Sequence, residues 1–507
     1  MKKCVFLLVA ALLAWATPCF AVSVSASLPL DSWVYPALDK LEGLGLIDSS
    51  LKGSRPYTRL EAARLTAAAR RSHSPGSLPV AAELLRDLER ELGGELAELH
   101  GSPVANHFQP LRSASLSHAW REGGDSTTAN RTNATQFALD PNRQGLNFSE
   151  GHNGQLILES EARLWQRLHF SARPLFAVQE QGTDGSWRLL DGRAALGLGP
   201  LEVSFGRQSL WWGQGRHGSL VLSNNAKPLD MLRITNPSPV LLPWVFKYLG
   251  PMRFDVFWSE LESDRVVSNP YFAGLRLNLK PLPWLEIGGS RAVIFGGEGR
   301  PGIDLSEFIT ILAGKNLEGG EDTSNQLAAL DARLSLPFLW NAELYGELGG
   351  EDEAGGFIAK KAFILGAYLP RIEPSGRLAL RVEHANLAYE GHGPVWYRHS
   401  QYRSGYTYQR KILGHHMGGD SRSWYAELSA FLPGGFSASL DLDHQRRGYS
   451  DPVRETHLQP GLGLAWQATE RLRLSGRYAF DRVRNLEQIS GRNETHHFSL
   501  LALDYRL

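Results

Sequence analysis

Residues 436–443 read FSASLDLD, with an apolar side chain at every even position and a polar one at every odd position. A period of two places successive side chains on opposite faces of a β-strand. The same period recurs at 273–280, 330–336, 342–348 and 472–480. One face of each predicted strand is therefore compatible with lipid and the other is charged. Because strands of soluble β-sandwiches also alternate, this pattern alone does not separate the two classes of protein.

The connections between the predicted strands do distinguish a transmembrane barrel from a soluble β-sandwich. Short turns alternate with long polar loops over most of the chain. Transmembrane barrels show this alternation, because their periplasmic turns are short and their external loops are long. The short turns are predicted at 165–168, 199–201, 280–284, 337–340, 370–377, 432–435 and 467–470. The chain is therefore predicted to be mainly β and to span an outer membrane, in contact with its lipid.

The number of strands follows from parity. Inspection identifies 17 strands between residue 113 and the C-terminus. Both chain ends are expected in the periplasm, which requires an even number, and Leu229–Thr235 is the candidate for the missing strand. The predicted fold is an 18-stranded antiparallel transmembrane β-barrel over 113–507. Its last strand, 496–507, alternates and ends on the apolar Leu507, which indicates recognition by the barrel-insertion machinery.

The first residues predict export. Lys2 and Lys3 precede an apolar run, and Ala21 ends a segment suited to cleavage, so residues 1–21 are predicted to be a secretory signal peptide. Both cysteines lie in this segment. Without Lys2 and Lys3, the 53 basic residues become 51, against 53 acidic ones. That balance gives no basic excess for binding nucleic acid.

Residues 22–100 are predicted to form a small periplasmic α-helical bundle, followed by a linker at 101–112. Their apolar residues recur at helical spacing rather than strand spacing. Thr58 and Glu61 form a capping box for the second of three predicted helices. The glycines at 93–94 are the predicted end of the third helix.

Two long loops carry the candidate polysaccharide-binding residues. The loop 386–422 is rich in aromatic and histidine rings, which can lie against the apolar faces of sugars while their edges hydrogen-bond hydroxyl groups. The Gly-rich loop 208–228 adds indole rings and side-chain amides. The candidates are Trp211, Trp212, Gln214, Asn224, Asn225, Trp396, Tyr397, Tyr402, Tyr406, Tyr408, His415 and Asp420. The alternatives are that 386–422 folds inward to plug the barrel, which is compatible with binding, and that Gly and Asn of 208–228 only form turns.

Catalytic and metal-binding motifs are not predicted. His415-His416 is an adjacent pair, which in a strand points to opposite faces, and no HExxH, CxxC or calcium-loop pattern occurs. Glu343 and Glu347, four residues apart in one strand, are separated by roughly 13 Å, too far for a glycosidase pair. The chain is therefore predicted to use no cofactor or metal and to be no enzyme.

Three stretches resemble the Wzi family of capsule assembly proteins. The first covers 33–64, with RPYTR at 55–59, and the third covers 399–420, with GYTY at 405–408. The second, 206–228, is the most specific, because it joins WWGQG to SNNAKP.

This resemblance implies an 18-stranded outer-membrane barrel with a periplasmic helical bundle. It implies a lectin that binds and organises capsular polysaccharide or exopolysaccharide at the cell surface. It does not identify individual sugar contacts. Separately, the helical domain is predicted to contact periplasmic export components.

Two alternatives remain open. The polar lumen predicted from the charged strand faces suits a diffusion porin or a sugar-uptake channel. The N-terminal pattern also resembles a single S-layer homology motif, a module that binds cell-wall polymers.

Overall fold

The computed structural model describes residues 23–102, 105–127, 134–180, 186–301, 324–351, 353–354, 357–358, 360–389 and 393–507. The predicted signal peptide lies outside these residues. Among the described residues, no helix combines the length and apolarity needed to cross a bilayer.

Eighteen antiparallel strands close into one barrel, and the last strand pairs with the first from Ser113↔Arg506 to Glu122↔His497. The strands, numbered β1 to β18, are His107–Glu122, Gly151–Leu164, Leu168–Gln179, Ser186–Leu198, Leu201–Gln208, Leu229–Thr235, Pro251–Glu260, Tyr271–Leu282, Leu285–Phe295, Ser324–Leu336, Ala342–Glu351, Lys361–Leu369, Leu378–Asn386, Ser421–Leu432, Phe436–Arg447, Glu455–Gln467, Leu472–Arg484 and Glu494–Arg506. The predicted fold class is confirmed.

The strand added by parity is confirmed as well. Leu229–Thr235 is β6, and it pairs with β5 on one side and β7 on the other. Its burial alternates strictly, so its odd-numbered side chains face the lumen and its even-numbered ones face outward.

Strand β1 begins earlier than the sequence suggested. It starts at His107, inside the segment predicted as a linker, and its register with β2 shifts between Gln109 and Ser113. Pro110 falls in that irregular stretch, where the missing N–H of proline interrupts no ladder bond. The predicted linker 101–112 contains Pro110, whereas the strand accommodates this proline at its irregular stretch.

The predicted short turns all lie at one end of the barrel, which we call the short-turn end; the opposite end is the loop end. Trp165, Trp284, Trp340 and Trp466 lie at the short-turn end with exposed side chains. Amphipathic rings at this position match the aromatic girdle expected next to lipid headgroups.

Four helices cover the short-turn end: α1 (Val34–Gly43), α2 (Arg59–Ser72), α3 (Pro79–Glu91) and α4 (Gly93–Leu99). The first three were predicted. Helix α4 was missed, because the glycines at 93–94 were interpreted as a helix end. Leu92 between α3 and α4 is fully buried, and Glu95 of α4 accepts a 2.6 Å hydrogen bond from Arg59.

The capping box of α2 is half formed. Thr58 Oγ1 accepts a 3.2 Å hydrogen bond from the Glu61 amide. The Glu61 carboxylate instead binds the Arg64 guanidinium at 2.7 and 2.8 Å. Thr58 therefore satisfies one of the unpaired amides at the start of the helix.

We expect Thr58→Ala to destabilise the helical domain by about 1 kcal/mol, because α2 loses its cap. Urea unfolding followed by circular dichroism at 222 nm measures this loss as a lower midpoint of the helical transition. Ser72→Ala, at the exposed end of the same helix, is the control. Equal stability of the two variants would show that the cap contributes nothing.

The helical domain sends one segment into the lumen. Residues 50–57, between α1 and α2, form this segment, which we call the finger. Ser54–Arg55 pairs in antiparallel fashion with Trp211–Trp212. The amides of Lys52 and Gly53 donate to Glu286 at 3.0 and 2.9 Å. The helical domain is thereby attached to the inside of the barrel as well as to its rim.

Candidate functional site

Two loops from the loop end fold into the barrel. The first plug loop is residues 209–228, between β5 and β6, and the second plug loop is residues 387–420, between β13 and β14. All twelve candidate binding residues lie in these loops, and none exposes more than 9% of its surface. The inward folding that was left as an alternative for the second loop is therefore what the structure shows.

All aromatic candidates except Trp211 belong to one apolar core, whereas Trp211 lines a small cavity. Trp212 lies 5.3 Å from Phe257 of β7, and Tyr406 stacks on Tyr397 with ring centroids 5.7 Å apart. Trp396, Tyr402 and Met417 belong to the same buried cluster. Apart from Tyr408, which also lines a cleft at the loop end, their ring faces contact protein in this structure, so a sugar reaches them only if the loops move.

The polar candidates hold the two plug loops to each other and to the segment between β1 and β2. Asn225 Nδ2 donates to the Ile412 carbonyl at 3.0 Å, and the Asn224 carbonyl accepts from the Gln144 amide at 2.8 Å. The Tyr397 hydroxyl donates to the Leu220 carbonyl and accepts from the His415 amide, both at 2.8 Å. A Cβ at Gly414 would lie 2.3 Å from that hydroxyl, which explains the glycine.

The remaining two polar candidates bind elsewhere in the lumen or at its rim. Gln214 donates to Asp331 at 2.9 Å and to Glu286 at 3.1 Å. Asp420 accepts from the Ser450 amide at 2.9 Å. The polysaccharide contacts of all twelve residues stay a prediction.

A network of ion pairs fills the lumen between the finger and the first plug loop. Arg276 binds Asp331 with two hydrogen bonds of 2.8 and 2.9 Å. Arg333 binds Glu286 and Glu343 at 3.0 Å each, and Lys52 of the finger binds Glu343 at 2.7 Å. Glu347 accepts from the Gly215 and Leu220 amides at 2.8 and 2.9 Å. Both carboxylates once considered for catalysis are thus engaged in structural contacts.

A different feature opens outward at the loop end. Strands β5 and β6 have only eight and seven residues, so the barrel wall is short there. A cleft of about 610 Å³ lies at this position. Its polar lining includes three basic residues, Arg188 of β4, Arg207 of β5 and Lys227, one acidic residue, Asp230 of β6, and the neutral Tyr408 and Gln409. We call it the basic cleft.

Positive charge is concentrated in the basic cleft. Arg207 binds Asp230 through two hydrogen bonds of 2.9 and 2.6 Å, and Lys227 Nζ donates to Gln409 at 3.2 Å. Partial burial is the larger cause that lowers the pKa of Lys227, and repulsion from Arg188 and Arg207 lowers it further. A negative charge bound here would relieve that repulsion.

A close backbone approach shapes the cleft. Gly206 adopts a φ of +121°, and a Cβ there would lie 2.1 Å from the Gly192 carbonyl oxygen. Only glycine permits this approach between β4 and β5. Trp187, next to Arg188, is 70% exposed beside it.

Sequence reasoning missed the basic cleft. Arg188 belongs to β4, but it lies within 180–192, which the alternation of short turns and long loops predicts to be a long polar loop. No local spacing connects it to Lys227 or Gln409. One signal was present, because Arg207 and Lys227 lie at the two ends of the specific family-like stretch 206–228.

Comparisons with known proteins agree with this architecture. A curated relative, described as an uncharacterized 55.8 kDa protein in the cps region of Klebsiella pneumoniae, is 32% identical over 170 residues. That match covers 32% of this chain and 33% of the relative, so the chain spans about a third of the relative it matches.

A solved structure extends the likeness to the whole fold. It is Wzi of Escherichia coli, described as a carbohydrate-binding β-barrel of the outer membrane involved in group 1 capsule assembly. It matches 95% of this chain and 100% of its own, with a TM-score of 0.73 and 20% sequence identity. The model of the family described as capsule assembly protein Wzi matches residues 121–498, and the chain therefore belongs to the Wzi family of outer-membrane β-barrels.

Proposed function

We propose that this protein binds capsular or exported polysaccharide at the cell surface and organises it there without altering it covalently. The basic cleft carries the proposal, because it joins clustered cations to an exposed indole at the loop end of a filled barrel. Family membership and the carbohydrate binding described for the Escherichia coli protein support it.

The chemistry of the cleft favours an acidic polysaccharide. Guanidinium and ammonium groups form strong hydrogen bonds with carboxylates. Gln409 and Tyr408 supply neutral groups for sugar hydroxyls, and the Trp187 ring offers a surface for the apolar face of a sugar. A repeating acidic polymer presents this chemistry many times, so weak binding at single units suffices for retention.

The proposed orientation follows from the two ends of the barrel. Short turns of transmembrane barrels lie in the periplasm and long loops lie outside. The basic cleft then faces the cell exterior, and the helical domain, at the short-turn end, faces periplasmic export components.

The filled lumen argues against the porin and uptake-channel alternative. Ion pairs, the finger and both plug loops occupy the described lumen. In planar bilayers, the purified protein is expected to give no steady single-channel steps. Large regular steps would favour the porin.

We expect the double variant Arg188→Glu, Lys227→Glu to weaken binding of the host's acidic capsular polysaccharide at least tenfold. Each charged hydrogen bond contributes about 1.5–3 kcal/mol, and about 1.4 kcal/mol corresponds to a factor of ten. Biolayer interferometry with immobilised protein measures the affinity, and a neutral glucan serves as the reference ligand.

Arg403→Glu is the matched control, since it reverses an exposed arginine of the second plug loop that does not line the cleft. Unchanged affinity of the double variant would contradict the assignment of the cleft. Absence of binding by the wild-type protein would contradict the proposed function itself.

A further inference from the structure

Both plug loops and the barrel wall bring two imidazoles and one carboxylate together in the lumen. His217 belongs to the first plug loop, His416 to the second, and Asp443 to β15. One candidate ligand atom from each lies within 4.8 Å of the other two. His217 Nε2 is 2.8 Å from Asp443 Oδ2, and the rings of His217 and His416 are nearly perpendicular, with centroids 4.7 Å apart.

Polar atoms in this cluster lack the partners that burial requires. His416 is fully buried, yet neither of its ring nitrogens meets hydrogen-bond geometry within the described chain, although the His217 backbone lies alongside. Asp443 Oδ1 is likewise unpaired, and Asp443 is only 3% exposed. An unpaired buried polar group costs about 1–3 kcal/mol, and a native structure that retains several of them calls for an ion or a water.

We propose that His217, His416 and Asp443 bind a divalent transition-metal ion of the zinc class. Imidazole nitrogens and a carboxylate oxygen are ligands that zinc accepts, and three protein ligands with one further position suit its four-coordinate preference. His217 also lines a cavity of about 160 Å³, which has room for a water as the fourth ligand. Each residue supplies one ligand atom, so one of the two unpaired His416 ring nitrogens becomes a metal ligand.

Packing around the cluster fixes the ligands in place. The His217 ring stacks on Tyr425 at 3.9 Å with an interplanar angle of 6°, and His415 stacks on His416 at 4.7 Å. Arg447, the nearby cation, is already engaged with Gln445 at 2.6 Å and with Glu455 at 3.5 Å. Such preorganisation limits the cost of assembling a metal site.

The expectation of no metal depended on a strand geometry for His415-His416. Both residues instead lie in the second plug loop, before β14, where their rings stack on each other rather than pointing apart. His217 is 199 positions away from His416 in sequence, and no ligand spacing could have revealed the pair.

The consequence is a cross-link between both plug loops and the barrel wall. Each ligand comes from a different one of these three parts, so the ion would hold the loops in the lumen. This role is independent of polysaccharide binding at the basic cleft.

The test uses the full-length protein in detergent, treated with a chelator and then dialysed. Titration with Zn²⁺ by isothermal calorimetry, with bound metal counted by mass spectrometry after desalting, is expected to give one ion per chain. Cobalt(II) in place of zinc is expected to give visible absorption typical of a four-coordinate site. His416→Ala and Asp443→Asn should each lower the zinc affinity at least about tenfold, since even groups beyond the ligands have effects of 10- to 100-fold.

His444→Ala is the control, because it removes a neighbouring imidazole of β15 that is not part of the cluster. Heat-modifiable migration on gels reports that each variant is folded. Failure of folded wild-type protein to bind zinc, or equal binding by His416→Ala, would overturn the proposal and leave ordered water as the occupant.

Discussion

Replacing Arg276 by Met is expected to lower the free energy of unfolding by about 3–5 kcal/mol. The substitution leaves the Asp331 carboxylate buried without its cation, and breaking one side of a buried ion pair has a cost of this size. Arg276 is fully buried, and its Nε also donates to Ser54 of the finger at 3.0 Å. Urea unfolding in detergent, followed by tryptophan fluorescence, measures the loss.

The chain provides a closely matched control. Arg207 and Asp230 form the same two-hydrogen-bond pair between β5 and β6, but their side chains are 33% and 53% exposed. Exposed pairs contribute about 0–1 kcal/mol, so Arg207→Met should have little effect on stability. The double change Arg276→Met, Asp331→Leu should recover most of the loss, because an apolar pair leaves no buried charge. Equal losses of unfolding free energy in the two single variants would show that burial does not determine how much the Arg276–Asp331 pair contributes to stability.

Replacing residues 51–56 of the finger by a Gly-Ser segment of equal length is expected to turn a silent barrel into a conducting one. The change removes the Lys52 ammonium from Glu343 and the Ser54 hydroxyl from Asn278, and it removes the strand pairing with Trp211–Trp212. Carboxylates left without these partners attract water into the lumen. Planar-bilayer recordings are expected to show regular single-channel steps that the unmodified protein lacks.

The control replaces residues 73–77, between α2 and α3, by Gly-Ser, since this segment lies outside the lumen. Helical circular dichroism confirms that the domain remains folded in both variants. A finger variant as silent as the control would mean that the plug loops close the lumen without the finger.

The barrel was predictable because its determinants are local. Alternation of apolar and polar residues sets the face of each strand, and turn residues set where each strand ends. The requirement for an even number of strands even located Leu229–Thr235, a short strand whose own sequence does not distinguish it from a loop. The errors arose where one residue type has two uses, as with Pro110 in a bulge and Gly93 at the start of α4.

The candidate site was less predictable, because its geometry depends on contacts far apart in sequence. Aromatic rings suit a sugar surface and a buried core equally well, and the composition of 387–420 does not decide between them. Only the folded chain shows that Tyr397 contacts Leu220, 177 residues earlier. The grouping of Arg188, Lys227 and Gln409, like that of His217 with His416, has the same origin.

The position of the finger has a consequence for biogenesis. Its binding partners include Asn278, Glu286 and Glu343, on β8, β9 and β11. The finger precedes all of these residues in the chain, so it is synthesised and exported before the strands that bind it. Its docking therefore waits until β8, β9 and β11 are in place, so the finger joins the barrel after this part of the wall has formed.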